Sequence, residues 1–282
     1  MTTDEPRAQR IPPVSRRGLL GLAGAGAATI LLGGCTPATR DPAADNPPAT
    51  PDRCVSRGSL DEHGTLAKLP LVYEISQERA SFAFDGGFHT QLGDWLGGYR
   101  ERSGLTAPDQ VWTYGAYVAG GSDCSSWHAA GRAFDLARLR LRGGDFVSCR
   151  YDRWRSTTGA ERQRAQRRYW ALAASLHLDF AYVLTYLYNA THANHIHIDN
   201  GRSGRGRSTL STSSPSQLQA VQAICTHLWD DPVEVTGRWD SPTRRATKRV
   251  LAQIGHGGDL DDSVDAWRAF LTASVPRGAE AG

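Results

Sequence analysis

Apolar residues recur three or four positions apart in two long stretches of the central region, which predicts two amphipathic helices there. The first stretch runs from Phe88 to Gly104, and the second starts near Gly159 and continues through Leu176. Glycine is the usual residue just beyond a helix end, so Gly104 is the expected stop of the first helix.

Shorter stretches rich in aromatic and β-branched residues predict strands between and after these helices. They cover residues 111–117, 134–139, 180–185 and 194–199. In the last stretch, alternation places His195, His197 and Asp199 on one face of the strand and Ile196 and Ile198 on the other. Helices around a small, mostly antiparallel sheet predict an α+β fold.

The rest of the chain divides into flanking segments. We assign residues 75–200 to the α+β domain, and the Gly- and Ser-rich residues 201–216 to a linker. Apolar spacing resumes beyond this linker, and Ser241-Pro242 has the residue types that open a helix. Residues 217–275 are therefore predicted to form a small helical module.

The first 34 residues are typical of an export signal. Arginines precede the apolar run from Gly18 to Gly34, which is too short and too weakly apolar for a membrane span of about 20 residues. The pair Arg16-Arg17 resembles a twin-arginine signal, and the run Leu32–Cys35 resembles a lipobox. The alternative is a buried helix with a core cysteine.

The lipobox resemblance implies that Cys35 carries a lipid and that the mature chain begins there. Residues 35–74 would then be a lipidated tether and linker, rich in Pro, Ala and Asp at its start. We therefore expect an extracytoplasmic protein, held at the membrane by its N-terminal lipid and facing the cell wall.

Composition and charge argue against one class of partner, nucleic acid. The formal net charge is +3, and nearly all basic residues are arginine, with Lys68 and Lys248 as the two lysines. The arginines between residues 162 and 168 are typical of a solvated helix face. We expect no nucleic-acid partner for an exported chain of this kind.

Four cysteines remain after Cys35, and an even number in an oxidising compartment predicts two disulfides with three possible pairings. We favour Cys124–Cys149, which would staple the loop beside the motif described next, with Cys54–Cys225 as the second pair. The alternative is that buried thiols remain free.

Two segments, Ser126–Asp135 and His192–Asp199, contain the residue types of a hydrolytic zinc site. Such a site takes three protein ligands from histidine and carboxylate and leaves a fourth position for water. His128 and Asp135 flank a glycine turn at the start of one strand, and His197 projects from another, so these three are the candidate ligands.

A structural role alone explains this pattern poorly. A single buried histidine usually belongs to the core, but three within six positions (His192, His195 and His197) are costly to bury without partners. Asp135, in an apolar strand, would likewise need a cation. Ser126 and Asp199 are expected to make hydrogen bonds that orient the ligands.

The two segments also carry a family resemblance. Ser126-x-His128-x-x-Gly131-x-Ala133-x-Asp135 followed by His195-x-His197 is similar to the signature of the D-Ala-D-Ala metallopeptidase, lysostaphin and Sonic hedgehog group. Within that group, it looks most like the bacterial extensin-like C-terminal family.

That resemblance implies Zn²⁺ bound by His128, Asp135 and His197, with His195 as general base or transition-state stabiliser. His192 matches an auxiliary histidine of the penicillin-insensitive murein endopeptidases. The expected function is a zinc-dependent peptidase acting on peptidoglycan stem peptides or cross-links, as a DD- or LD-carboxypeptidase or endopeptidase. The alternative is a zinc-containing lipoprotein that binds peptidoglycan or a protein partner without catalysis.

The chain departs from the group's pattern after residue 117. Relatives often carry a Cys-Arg pair there, in which the arginine holds a substrate carboxylate, whereas Cys124 has no adjacent arginine. Arg132, Arg138 and Arg150 are the possible substitutes.

The predicted C-terminal module carries a second, shorter resemblance. Residues 235–246 resemble the core of peptidoglycan-binding-like three-helix modules. The alternative is a helical extension that packs on the α+β domain.

Overall fold

The computed structural model describes residues 54–119, 124, 126–201 and 208–280. The predicted signal segment with Cys35, residues 36–53 of the predicted tether, and residues 202–207 of the predicted linker lie outside the described residues.

The described residues form an α+β fold, as predicted. Strands β1–β9 are Asp61–His63, Thr65–Leu66, Leu69–Tyr73, Phe82–Phe84, Pro108–Gly115, Ala133–Leu141, Phe146–Ser148, Tyr182–Leu184 and Ile196–Asp199. Helices α1–α6 are Gly86–Arg102, Tyr151–Trp154, Gly159–Leu176, Pro215–Leu228, Ser241–Gln253 and Val264–Ser274. Short 3-10 helices occur at Arg57–Ser59, Trp127–Ala130, Ala190–Asn194 and Pro276–Gly278.

The main sheet is mixed and mostly antiparallel. Its order is β2-β3-β5-β6-β9-β8, and β7 pairs with the part of β6 that β9 leaves uncovered. The pair β3 and β5 is parallel. Because β6 pairs with β5 on one side and with β9 on the other, residues of three strands meet in its N-terminal half.

The ordered sheet begins earlier in the chain than we expected. Strands β1, β2 and β3 lie within residues 35–74, the predicted tether and linker. Leu66 and Leu71 of this stretch are fully buried in the main core. These strands are short, between two and five residues, so they carry too little alternation to be recognised in the sequence.

The core lies between the sheet and two long helices. Ile196 and Ile198 of β9 are fully buried and share one hydrophobic cluster with residues of α1 and α3. Trp95 of α1 donates its indole N–H to the hydroxyl of Ser175 in α3 at 3.1 Å. The apolar face of β9 therefore points into the core, and its polar face lies on the opposite side of the sheet.

The three C-terminal helices continue this hydrophobic cluster instead of forming a separate one. Inside the helical module, the side chain of Gln222 donates to the hydroxyl of Thr243 at 2.9 Å and accepts from the backbone of Gly237 at 2.9 Å. These bonds tie α4 to α5 and to the loop before it. No helix in the described part of the chain is long and apolar enough to span a bilayer.

His177, at the end of α3, gives a testable pH dependence of stability. It is fully buried against Trp267, and its ring nitrogens have no hydrogen-bond partner among the described residues. Burial lowers the pKa of His177 to about 3. Between about pH 6.5 and that value the unfolded chain binds a proton that the folded chain does not, so stability falls as the pH falls.

Replacing His177 with leucine is expected to remove this contribution. Between pH 7 and pH 5, the free energy of unfolding of the parent should fall by about 2 kcal/mol more than that of the variant. The slope of this difference below the ordinary histidine pKa is about 1.4 kcal/mol per pH unit. Urea unfolding at the two pH values measures the difference. An equal change with pH in the two proteins would contradict the account.

Candidate metal centre

Three candidate ligands meet beside the N-terminal half of β6, on the face of the sheet opposite the hydrophobic core. Asp135 in β6 is directly opposite His197 in β9. His128 lies on the 3-10 helix that precedes β6. Two ligands are therefore placed by strand register, and the third by a short helix that leads into the same strand.

The ligand atoms form a nearly equilateral triangle. His128 Nε2 is 3.2 Å from His197 Nδ1 and 3.3 Å from Asp135 Oδ1, and His197 Nδ1 is 3.1 Å from the same oxygen. Tetrahedral zinc with bonds of about 2.0–2.1 Å separates its ligand atoms by roughly 3.3 Å. The triangle thus has the dimensions of one face of a zinc tetrahedron.

Hydrogen bonds on the far side of each ring fix which nitrogen faces the centre. His128 Nδ1–H donates to the carbonyl oxygen of Ala116, and a carbonyl can only accept. His197 Nε2 lies 3.0 Å from Asp199 Oδ2. With protons on those outer atoms, His128 Nε2 and His197 Nδ1 both turn lone pairs toward Asp135. Such a set of converging acceptors fits a cation.

The electrostatics of the cluster point the same way. Burial by itself raises the pKa of Asp135, but hydrogen bonds with His128 and His197 outweigh it and hold that pKa well below its ordinary value. Burial lowers the pKa of His197, whereas its bonds to Asp135 and Asp199 raise it to about 10. The cluster therefore attracts positive charge, for which a proton and a divalent ion compete.

Local sequence explains how the His128 helix is formed. Ser126 caps it, because its hydroxyl accepts from the backbone N–H of His128 at 3.3 Å. Gly131 ends it with a φ of 66°, in the left-handed region that favours glycine. A β-carbon there would come within 2.8 Å of Leu60 and 2.9 Å of the backbone of Asp85. Only glycine fits this turn without displacement.

Two further histidines flank the triangle. His195 Nε2 lies 3.4 Å from Asp135 Oδ1, and His195 Nδ1 contacts the side-chain oxygen of Asn194 at 2.6 Å. The ring of His192 is 5.1 Å from that of His195. Burial lowers the pKa of both rings, that of His192 to about 3. Both imidazoles are consequently neutral at ordinary pH.

The three candidate arginines do not lie together. Arg132 donates to the side-chain oxygen of Asn200 at 2.7 Å and stacks on Trp127, so it has a structural role. Arg138 and Arg150 both pair with the buried carboxylate of Glu74.

These two arginines border a groove that the sequence did not reveal. The groove has a volume of about 450 Å³, and its lining includes Tyr114 and Arg153 besides Glu74, Arg138 and Arg150. Tyr114 also touches His195, with ring centroids 6.0 Å apart. No motif marks Glu74 or Tyr114, because their roles depend on the pairing of β3 with β5.

The cysteine pairing differs from the predicted one. Cys54 is bonded to Cys124, while Cys149 and Cys225 are free and buried. Both free thiols lie inside the hydrophobic cluster, where neither can reach a cysteine in a surface loop. The alternative of free buried thiols therefore holds for these two. The disulfide supports an extracytoplasmic location, because disulfides persist in oxidising compartments.

The role of Asp199 in orienting His197 leads to a prediction. Replacing Asp199 with alanine is expected to lower zinc affinity by about 10- to 100-fold, since partners that orient a metal-binding imidazole contribute that much. Equilibrium dialysis against a zinc buffer measures the change. The surface carboxylate Asp145, which pairs with Arg168, supplies the control variant Asp145→Ala. Equal affinities in the two variants would contradict the assignment.

Comparison with known proteins adds one match. Residues 114–210 match the family model described as Extensin-like protein C-terminus. This segment contains every candidate ligand and both flanking histidines. No curated protein and no solved structure matches the chain. Residues 114–210, which contain the candidate metal centre, are therefore similar to the extensin-like family.

Proposed function

We propose that this protein is a zinc-dependent amide hydrolase that acts on peptidoglycan stem peptides outside the cytoplasm. The observation that carries the proposal is the triangle of His128 Nε2, Asp135 Oδ1 and His197 Nδ1, with edges of 3.1–3.3 Å. Two imidazoles and one carboxylate are a ligand set that catalytic zinc sites use.

In this proposal His128, Asp135 and His197 hold the ion. A zinc ion bound there would lower the pKa of a bound water to about 7 and polarise the carbonyl of the scissile amide. Ala116 and Asp199 keep the two ligand rings in the tautomers that binding requires.

His195 is the residue placed to move the proton. Its Nε2 atom is 3.4 Å from the ligand oxygen of Asp135, so it borders the same space as the ligand atoms. Its lowered pKa leaves it neutral and able to accept a proton from water, which it would then pass to the leaving amine. His192, in ring contact with His195, limits the rotation of that imidazole.

The groove beside Tyr114 suits a polar, anionic part of the substrate. Arg138, Arg150 and Arg153 outnumber the two carboxylates that pair with them, Glu74 and Asp152. The groove therefore has a net positive charge. Stem peptides carry carboxylates, which such a groove attracts.

The proposed location and partners rest on the sequence. The twin-arginine and lipobox resemblances support a mature chain that would lie outside the cytoplasm and would be anchored by a lipid on Cys35. The helical module, with its resemblance to peptidoglycan-binding modules, would help to hold the catalytic domain against the wall.

The test is cleavage of defined muropeptides by the purified mature chain. Linear stem peptides and cross-linked dimers are incubated with the zinc-loaded protein, with and without a chelator, and the products are identified by mass spectrometry. We expect new fragments that disappear with the chelator and are absent with His197→Ala. Binding of muropeptides by fully zinc-loaded protein without any cleavage would instead establish the non-catalytic alternative.

A further inference from the structure

We infer that residues 54–56, which we call the N-terminal strap, position the metal ligand His128 through the Cys54–Cys124 disulfide. The oxidised bond would thereby keep zinc affinity high. This inference rests on the proposed metal site and concerns how one of its three ligands is held.

The three ligands are supported unequally. Asp135 lies on β6 and His197 on β9, and each of these strands has a hydrogen-bonded neighbour on both sides. His128 lies outside the sheet, on a 3-10 helix of four residues. A single 3-10 turn has poor hydrogen-bond geometry and little stability of its own. The position of His128 therefore depends on what packs around that turn.

The strap contacts the segments on both sides of His128. The disulfide joins Cys54 to Cys124, ahead of the 3-10 helix, with the two Cα atoms 5.1 Å apart. Val55 donates its backbone N–H to the carbonyl of Ala129, inside that helix, at 3.0 Å. The carbonyl of Val55 accepts from the hydroxyl of Tyr117 at 3.1 Å.

The contact with Tyr117 bears directly on the ring of His128. Tyr117 lies between Ala116, whose carbonyl accepts from His128 Nδ1, and Val118, whose N–H donates to the carbonyl of His128 at 3.3 Å. The strap thus holds both the helix that carries the ligand and the segment that orients its imidazole.

The backbone of Cys124 supplies a further reason why the bond matters. Its φ of 46° lies in the left-handed region, which a residue other than glycine rarely adopts. Such a conformation persists only where its surroundings impose it. When the disulfide opens, Cys124 loses its covalent attachment to the strap, and no covalent bond then holds the strap to the segment ahead of the His128 helix.

The experiment measures zinc affinity of the mature chain before and after reduction by a phosphine. The phosphine supplies two electrons to the sulfur–sulfur bond, water supplies the oxygen and protons, and the products are two thiols and a phosphine oxide. We expect the zinc dissociation constant to rise by about tenfold or more, as for the loss of other groups that orient a ligand. Far-UV circular dichroism should show the same secondary structure before and after.

The double variant C54S/C124S is the matched control for the reductant. Its zinc affinity should equal that of the reduced parent and should not change when the phosphine is added. The variant Tyr117→Phe keeps the disulfide and removes one strap contact, and we expect about a fivefold loss of affinity, the size of one hydrogen bond. If the double variant does not fold, the zinc affinity of Tyr117→Phe tests the role of the strap by itself.

The outcomes separate this inference from the proposal on which it rests. Oxidised parent that binds no zinc would overturn the metal site and the strap together. Tight binding by the oxidised parent with unchanged affinity after reduction and in Tyr117→Phe would overturn the strap alone.

Discussion

Replacing His197 with alanine is expected to lower zinc affinity more than a hundredfold and to leave the purified protein without bound metal. The variant removes one of three ligand atoms and leaves Asp135 and His128 to hold the ion alone. Groups that merely orient a ligand contribute 10- to 100-fold, so a ligand itself contributes more. Metal content by mass spectrometry after dialysis measures the effect.

His256 offers the control for this variant. It lies beyond α5, in a partly exposed position, with its Nδ1 atom 2.7 Å from the carbonyl oxygen of Gly257. His256→Ala should keep one zinc per chain, as the parent does. If His197→Ala also retained one equivalent with parental affinity, His197 would not be a ligand.

Replacing His195 with alanine is expected to separate binding from catalysis. The zinc content should stay at one per chain, because His195 is not one of the three proposed ligands. Cleavage of muropeptides should fall by about 10²- to 10⁴-fold, the range for loss of a general base. Rates of product formation, compared at equal zinc occupancy, measure this effect.

Two results would count against the role of His195. If His195→Ala lost its zinc, the imidazole would be a fourth ligand and not the base. Full activity with zinc bound would show that another group, with His192 nearest in ring contact, accepts the proton.

Much of the central fold could be predicted because its elements have clear periodicity. Helices α1 and α3 have apolar faces over 17 and 18 residues, and each begins and ends near the predicted positions. Strand β9 follows its alternation, with Ile196 and Ile198 fully buried and His197 on the other face. These features depend on local spacing, which the sequence displays directly.

The directions of the candidate ligand side chains, although not the strand pairing that brings them together, were predictable for a related reason. The glycine after the His128 helix sets the turn into β6, and the alternation in β9 sets the face on which His197 lies. Both depend on local sequence and not on which strands pair. The antiparallel pairing of β6 with β9 then brings Asp135 and His197 into direct register.

Features that depend on long-range pairing could not be predicted. Cys124 bonds to Cys54, 70 residues away, because the N-terminal strap runs beside the His128 helix, and nothing local reveals that path. Glu74 meets the arginines of the groove because β3 pairs with β5, and Tyr114 meets them because β5 pairs with β6. The burial of the free thiols of Cys149 and Cys225 likewise depends on how the chain after β7 and the helix α4 pack into the core.

Anomalous diffraction at the zinc edge, from crystals of the zinc-loaded mature chain, tests the central claim most directly. The account predicts one peak, about 2.1 Å from each of His128 Nε2, Asp135 Oδ1 and His197 Nδ1. Fully loaded crystals with the peak elsewhere on the chain, or with these three side chains turned away from it, would contradict it.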